Sequence, residues 1–258
     1  MVETILAAEV IDRLLTMLWP FLRIGALLMV APVLSIDAVT VRIRLAFGFV
    51  LTAFVYPFYD WPVIDPTTAA GLLEVFNQIT IGVLMGLILQ VVVAAIVVGG
   101  QTISAAMGLS MASLIDPSVG NVPTIASFLL MVSSLIFLAL GGHVLLLELL
   151  LTSFDFFPIG RGLLSQDSFA HFVAWSSMMF TGGVLLALPI MVILLAVNIG
   201  LGIVVRAAPQ LNIFAIGLPA TILVGMLVFY VLVGAMANRM TWLWMQGFEQ
   251  VRIILGMN

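Results

Sequence analysis

The chain contains no lysine and no cysteine, and only 8% of its 258 residues are charged. All eight basic residues are arginine, at positions 13, 23, 42, 44, 161, 206, 239 and 252. Nucleic-acid recognition needs clustered cations to neutralise phosphates. The nearest approach to a cluster is Arg42 with Arg44, which sets that class aside. Without cysteine, disulfides, thiolate chemistry and cysteine-based metal sites are excluded. Histidine is nearly absent too, with His143 and His171 alone. Glu148 lies five residues after His143, about 140° around a helix, so the two do not share a face as zinc ligands would. No Walker loop, G-x-G-x-x-G or G-x-S-x-G occurs. Nothing supplies a paired nucleophile and base, so the chain reads as a non-enzyme without cofactor or metal.

What fills the space is hydrophobic: 64% of the residues, with a mean hydropathy of +1.32. A soluble domain carries about a quarter charged residues, so this is an integral membrane protein. Apolar runs fall near 14–34, 45–59, 71–98, 124–152, 172–204 and 213–237. A span needs roughly 20 apolar residues; the second run is short, and the third and fifth are long enough to kink. No strand-like alternation recurs, and lipid otherwise admits only helices. The expectation is an all-α protein of about six long hydrophobic helices. Glu3, Glu9 and Asp12 precede the first basic residue, unlike a signal peptide, so the first run is expected to be retained. Arginines divide four against three between the two sides of a six-span arrangement, which leaves the positive-inside rule undecided.

Arg23 lies inside the first apolar run and Glu148 inside the fourth. A charge at mid-membrane costs about 2.5–3.5 kcal/mol on insertion scales, so each should face protein or water. They read as structural pairing between helices, possible partners being each other, or as a site on a transport path. Gly82 and Gly86 form G-x-x-x-G, which reads as close helix packing. Gly100, Ser104, Gly108 and Ala112 continue a small-residue stripe toward a break. The residue before a proline is pushed out of the helical region, so Ile115-Asp116-Pro117 should end that helix near Ile115, and Pro123 suits a restart. The stretch 99–123 carries Asp116 as its one charge. Non-helical backbone at membrane depth survives only when buried in protein or lining a cavity. Met107 and Met111 suit an irregular gap. A plug or a well-packed surface loop both fit. Further on, Arg206 can neutralise helix carbonyls and Pro209 forces a turn, while Gln210 and Asn212 give the tip uncharged polarity suited to protein contact. Residues 186–258 thus read as a helical hairpin, with an amphipathic tail holding Trp242, Trp244, Phe248 and Arg252.

"GLSMASLIDP" (108–117), "GGHVLLLELLLTSFDFFPIG" (141–160) and "RAAPQLNIFAIGLP" (206–219) resemble the FliR family of flagellar export-gate membrane proteins. "WPFLRIGALLMVAPVLS" with "VRIRLAFG" resembles that family's N-terminal pattern, so the likeness spans nearly the whole chain. The resemblance implies a FliP-like part (1–185) fused to a FliQ-like hairpin (186–258). It implies a non-enzymatic pore subunit, one copy per assembly with FliP and FliQ, passing unfolded flagellar proteins. It places the assembly in the bacterial inner membrane at the flagellar basal body, displaced toward the periplasm. The family's pore-closing loop corresponds to 106–122. Met107, Gly108, Leu109, Ser110 and Met111 would close the path, and Asp116 and Pro117 would fix the exit. Gln101 and Ala106 depart from the family pattern. A virulence injectisome subunit and a self-contained secondary transporter using Arg23 and Glu148 are the alternatives.

Overall fold

The structure is a computed structural model that describes residues 2–32, 40–109, 124–161, 164–207 and 213–256. Among these residues every regular element is helical: α1 (Val2–Val30), α2 (Val41–Val55), a 3₁₀ turn (Tyr56–Phe58), α3 (Ala69–Ala106), α4 (Thr124–Ala139), α5 (Gly142–Phe156), α6 (Gln166–Ser176), α7 (Met178–Ala207) and α8 (Ile213–Ile254). Five stretches are long and apolar enough to cross a membrane, six if the broken pair α4–α5 counts as one. The all-α membrane architecture expected from composition is the one present.

Local chemistry sets the helix boundaries. Thr40 is extended, and its carbonyl accepts the Ile43 and Arg44 amides at the head of α2. Before α3, Asp65 Oδ1 accepts both the amide and the hydroxyl of Thr67, and the Thr68 hydroxyl accepts the Gly71 amide. The two bonds from Thr67, hydroxyl first, hold the Asp65 carboxyl below the usual carboxylate range.

Two boundaries differ from the sequence expectation. The run 124–152 is not one helix: it breaks at Leu140–Gly141, where Gly141 takes φ +68° and its amide bonds back to Leu138 O. That left-handed conformation is open to glycine without the Cβ clash other residues meet. Likewise α3 ends at Ala106 rather than near Ile115. Gly108, at φ +78° with its amide on Ala105 O, is the terminator, a glycine stop of the usual C-terminal kind.

The chain forms two compact units. The first comprises 1–90, 142–176 and 247–258, and the second 91–141 and 177–246, so α3 and α8 contribute to both. In the first unit, α1 buries Trp19, Ile24, Leu27 and Leu28, and α3 buries Ile81, Met85, Ile88 and Leu89. The two helices meet backbone to backbone: a Cβ on Gly82 would lie 2.3 Å from Arg23 O, and one on Gly86 would lie 3.1 Å from the Ala31 amide nitrogen. The G-x-x-x-G pair is therefore a packing device, as its spacing suggests. Lipid offers no hydrophobic drive between helices, so this close approach stabilises through dispersion. The Trp175 indole donates to Ile88 O, and the Ser168 hydroxyl to Ile254 O.

In the second unit, α7 turns Gly182, Gly183, Leu186, Ala187, Ile190 and Leu194 inward, a helical spacing of three and four. Gly183 abuts Val98 and Ala95 O of α3, while Gly99 abuts Gly183 O and Leu186. On another side of α3, a Cβ on Gly100 would fall 2.5 Å from Ala126 Cα of α4. Trp244 and Phe137 pack at 4.8 Å, and the Trp244 indole donates to Ser133 Oγ. The opposite face of α7 is also apolar but exposed, including Leu188, Val192, Leu195, Ile199 and Ile203. Apolar exposure on this scale marks a surface facing lipid or other protein.

Candidate functional site

The C-terminal end of α3 is the first of two places where sequence-selected residues gather. Met107 is fully buried, whereas Gly108 and Leu109 are half-buried. The Met107 amide still bonds to Ile103 O, so the residue completes the last helical turn before Gly108 reverses the backbone. Its thioether lies along α8. A Cβ on Gly225 would stand 2.7 Å from Met107 Cγ, 2.8 Å from Cε and 3.1 Å from Sδ. One turn earlier, the Thr221 hydroxyl reaches Leu218 O at 3.0 Å and Met107 O at 3.4 Å. Leu218 Cγ sits 3.8 Å from where a Gly108 Cβ would be. Ser110, Met111, Asp116 and Pro117, also selected from sequence, lie outside the described residues.

The second place is built on Arg23. This side chain is fully buried in α1. Its Nε donates to Gln78 Oε1 at 2.7 Å. Nη1 donates to Ser153 O at 2.8 Å and to Ser153 Oγ at 3.0 Å, and Nη2 to Phe157 O at 2.6 Å. The guanidinium also covers the Phe154 ring at 4.3 Å. Gln78 in turn donates to the buried Glu74 carboxylate. Because Ser153 and Phe157 stand at the C-terminal end of α5, Arg23 gives the Phe157 carbonyl a donor, adds a second one to the Ser153 carbonyl that already takes the Phe157 amide, and complements the negative end of the helix dipole.

Glu148 is not part of this network. It is exposed on α5, whose buried residues are Gly142, Leu146, Leu149, Leu150, Ser153 and Phe154. Glu148 sits about 200° around the helix from Leu146. The structure therefore does not bring Arg23 and Glu148 together. The residues that sequence reasoning missed, Gln78, Glu74 and Ser153, are ordinary polar side chains in apolar helices. Their signal was legible: Glu74 and Gln78 are four apart on α3, and Ser153 continues the buried stripe of α5.

Arg206 is exposed in the last turn of α7, where a cation complements the helix C-terminus. Pro209, Gln210 and Asn212 lie outside the described residues. Near α3's end, an open apolar groove of about 320 Å³ runs along α7 beside Ala106, with Asn198 as its one polar lining group. A second hollow, in the first unit, is walled by Tyr59, Trp61 and Phe154. There the Tyr59 hydroxyl donates to Leu151 O, and burial, then the Asp155 carboxylate, push its pKa upward. Among the described residues no three His, Asp or Glu side chains gather as a metal site would require.

These features define a class: a polytopic helical membrane protein with a buried arginine network tying helices together, a tightly seated helix end, and extensive apolar surface for lipid or partner subunits. Residues 14–247 match the family model described as bacterial export proteins, family 1, and the chain belongs to that family. Its relatives include proteins named flagellar biosynthetic protein FliR. That of Pectobacterium carotovorum subsp. carotovorum is 37% identical over 210 residues, covering 81% of this chain and 80% of the relative. The Escherichia coli (strain K12) protein is 36% identical over 208 residues, covering 80% of each. The Bacillus subtilis (strain 168) protein is 31% identical over 227 residues, covering 86% of this chain and 88% of the relative.

Proposed function

We propose that this chain is a pore-forming core subunit of the flagellar protein-export gate, with the residues from Met107 to Met111 closing the path and Asp116–Pro117 fixing its exit. The observation that carries this reading is the seating of Met107 against Gly225 and Thr221 at the point where Gly108 turns the chain. Beyond that turn the sequence runs on to Pro123 with Asp116 as its one charged residue, a composition suited to filling a protein-lined path. The names of the relatives favour flagellar over injectisome use. The transporter reading loses its proposed charge pair, since Arg23 spends its donors on helix ends and Gln78 while Glu148 stands elsewhere.

The exposed apolar faces of α7 and of the first half of α8 support partner contact, which we assign to FliP and FliQ with one copy of this chain per assembly. Residues 1–185 would be the FliP-like part and 186–258 the FliQ-like hairpin, its tip at Arg206, Pro209, Gln210 and Asn212 meeting a partner. The assembly would sit in the inner membrane, displaced toward the periplasm, and draw its energy from other export components. The deciding experiment deletes 108–116 in the assembled complex. Ion leakage should rise while the complex still assembles; unchanged permeability would remove these residues from the closing role.

A further inference from the structure

We infer that Gly225 of α8, with Thr221 one turn before it, is the positioning site for Met107, and that the fit of the thioether into the missing Cβ's place sets how firmly the export path stays shut. This inference rests on the closing role proposed above for Met107. Three facts single the contact out from ordinary packing. The three atoms nearest to a Gly225 Cβ are all in the Met107 side chain, at 2.7, 2.8 and 3.1 Å. Met107 is the last residue before a left-handed glycine, so its position governs where the chain leaves α3. Its carbonyl is also within reach of the Thr221 hydroxyl, which has a competing acceptor in Leu218 O. The hydroxyl carries one proton, so the longer bond to Met107 can be given up without leaving the donor unmet.

Methionine suits such a seat. The side chain is unbranched and flexible, so it fills the notch yet can leave it without disturbing the helix behind. A methyl group at 225 would therefore move Met107 rather than unfold α8. Elsewhere on the second unit's helices, Gly200 and Gly234 have nothing within 4 Å of a Cβ, so glycine there holds no comparable notch.

The test uses the assembled complex in membrane vesicles, reading ion flux alongside complex yield. Gly225→Ala should raise leakage on the order of tenfold at unchanged yield. Met107→Ala, which empties the same notch, should raise leakage comparably, and the double variant should leak no more than either single one, because both changes abolish one contact. Leakage at the parent level in either single variant, or a double variant in which the two effects multiply, would overturn the link between the seat and closure. A second measurement separates this seat from the pore reading. The chain has no cysteine, so Met107→Cys with Gly225→Cys should form a bridge on oxidation that blocks both thiols from a maleimide label. A pair that stays fully labelled would overturn the seat whatever the flux data say. A pair that closes, with no leakage from either Gly225→Ala or the 108–116 deletion, keeps the seat and removes the pore reading.

Discussion

Replacing Arg23 by methionine keeps most of the side-chain volume and removes the charge, which isolates the network from the packing. Four hydrogen bonds disappear. Ser153 O keeps a partner, since the Phe157 amide also donates to it at 2.9 Å. Gln78 Oε1, by contrast, is left buried without the donor it faces, and Phe157 O loses its guanidinium. Each such orphaned acceptor costs about 1–3 kcal/mol. Glu74, 5% exposed, then lies in the interior without the guanidinium that closes its network. Breaking a buried ionic network by removing one partner costs about 3–5 kcal/mol. For a chain of this size that corresponds to a fall of roughly 10 °C in the apparent unfolding midpoint. Purified protein in detergent, followed by tryptophan fluorescence and by size-exclusion profile, reads it. The diagnostic step is the double variant with Glu74→Gln, which replaces the buried carboxyl by an amide while preserving an acceptor for Gln78. It should recover part of the loss, a coupling that independent sites would not show. A midpoint unchanged by Arg23→Met, or no relief from Glu74→Gln, would refute the idea that this network holds α1, α3 and the end of α5 together.

Packing and charge give two more expected outcomes. Gly100→Ala should sharply reduce the yield of folded protein, because its Cβ meets the Ala126 backbone at 2.5 Å, whereas Gly200→Ala, with open space around it, should fold at the parent yield or better. At Tyr59 the raised hydroxyl pKa means that its stabilising contribution is complete below the ordinary phenol value near ~10 and is lost as pH rises through the higher folded value. The phenolate would lose its donation to Leu151 O and be repelled by Asp155. Trp61, whose ring lies 5.5 Å away, should report this as an alkaline fluorescence change that Tyr59→Phe abolishes; an identical change in that variant would exclude Tyr59 as its source.

Much of the fold was legible because the bilayer constrains it. Apolar runs near 71–98 and 213–237 marked α3 and α8, although both helices extend well beyond those runs. A polar or charged residue does not end a helix if its side chain finds a partner, and Glu74, Gln78 and Arg239 lie inside them. The helix end at Ala106 was missed for a different reason. Asp116–Pro117 is a strong local stop signal, but Gly108 acts earlier, and a glycine within a stripe of small residues reads equally as packing. The Gly141–Gly142 pair was similarly ambiguous. Arg23 was marked as facing protein or water, and in the structure its side chain is buried. Its partners escaped because pairing Arg23 with Glu148 ignored helix phase, and Leu146, Leu149, Leu150 and Ser153 already placed Glu148 on the far side of α5, while Glu74, also inside an apolar run, was passed over. Gly225 carried no local signal at all, since its role exists only once Met107 is brought against it.

Gly99 and Gly100 stand side by side on α3, one facing Gly183 and Leu186 of α7 and the other Ala126 of α4. Several of the nearest neighbours are main-chain atoms, which every amino acid possesses. A larger residue at position 100 therefore has no compensating exchange available across the contact, because shrinking Ala126 cannot move its Cα. At position 100 the paired substitutions by which packed side chains usually accommodate one another are closed, so the contact with α4 demands smallness at one fixed place, whereas at position 99 a smaller residue in place of Leu186 could still make room.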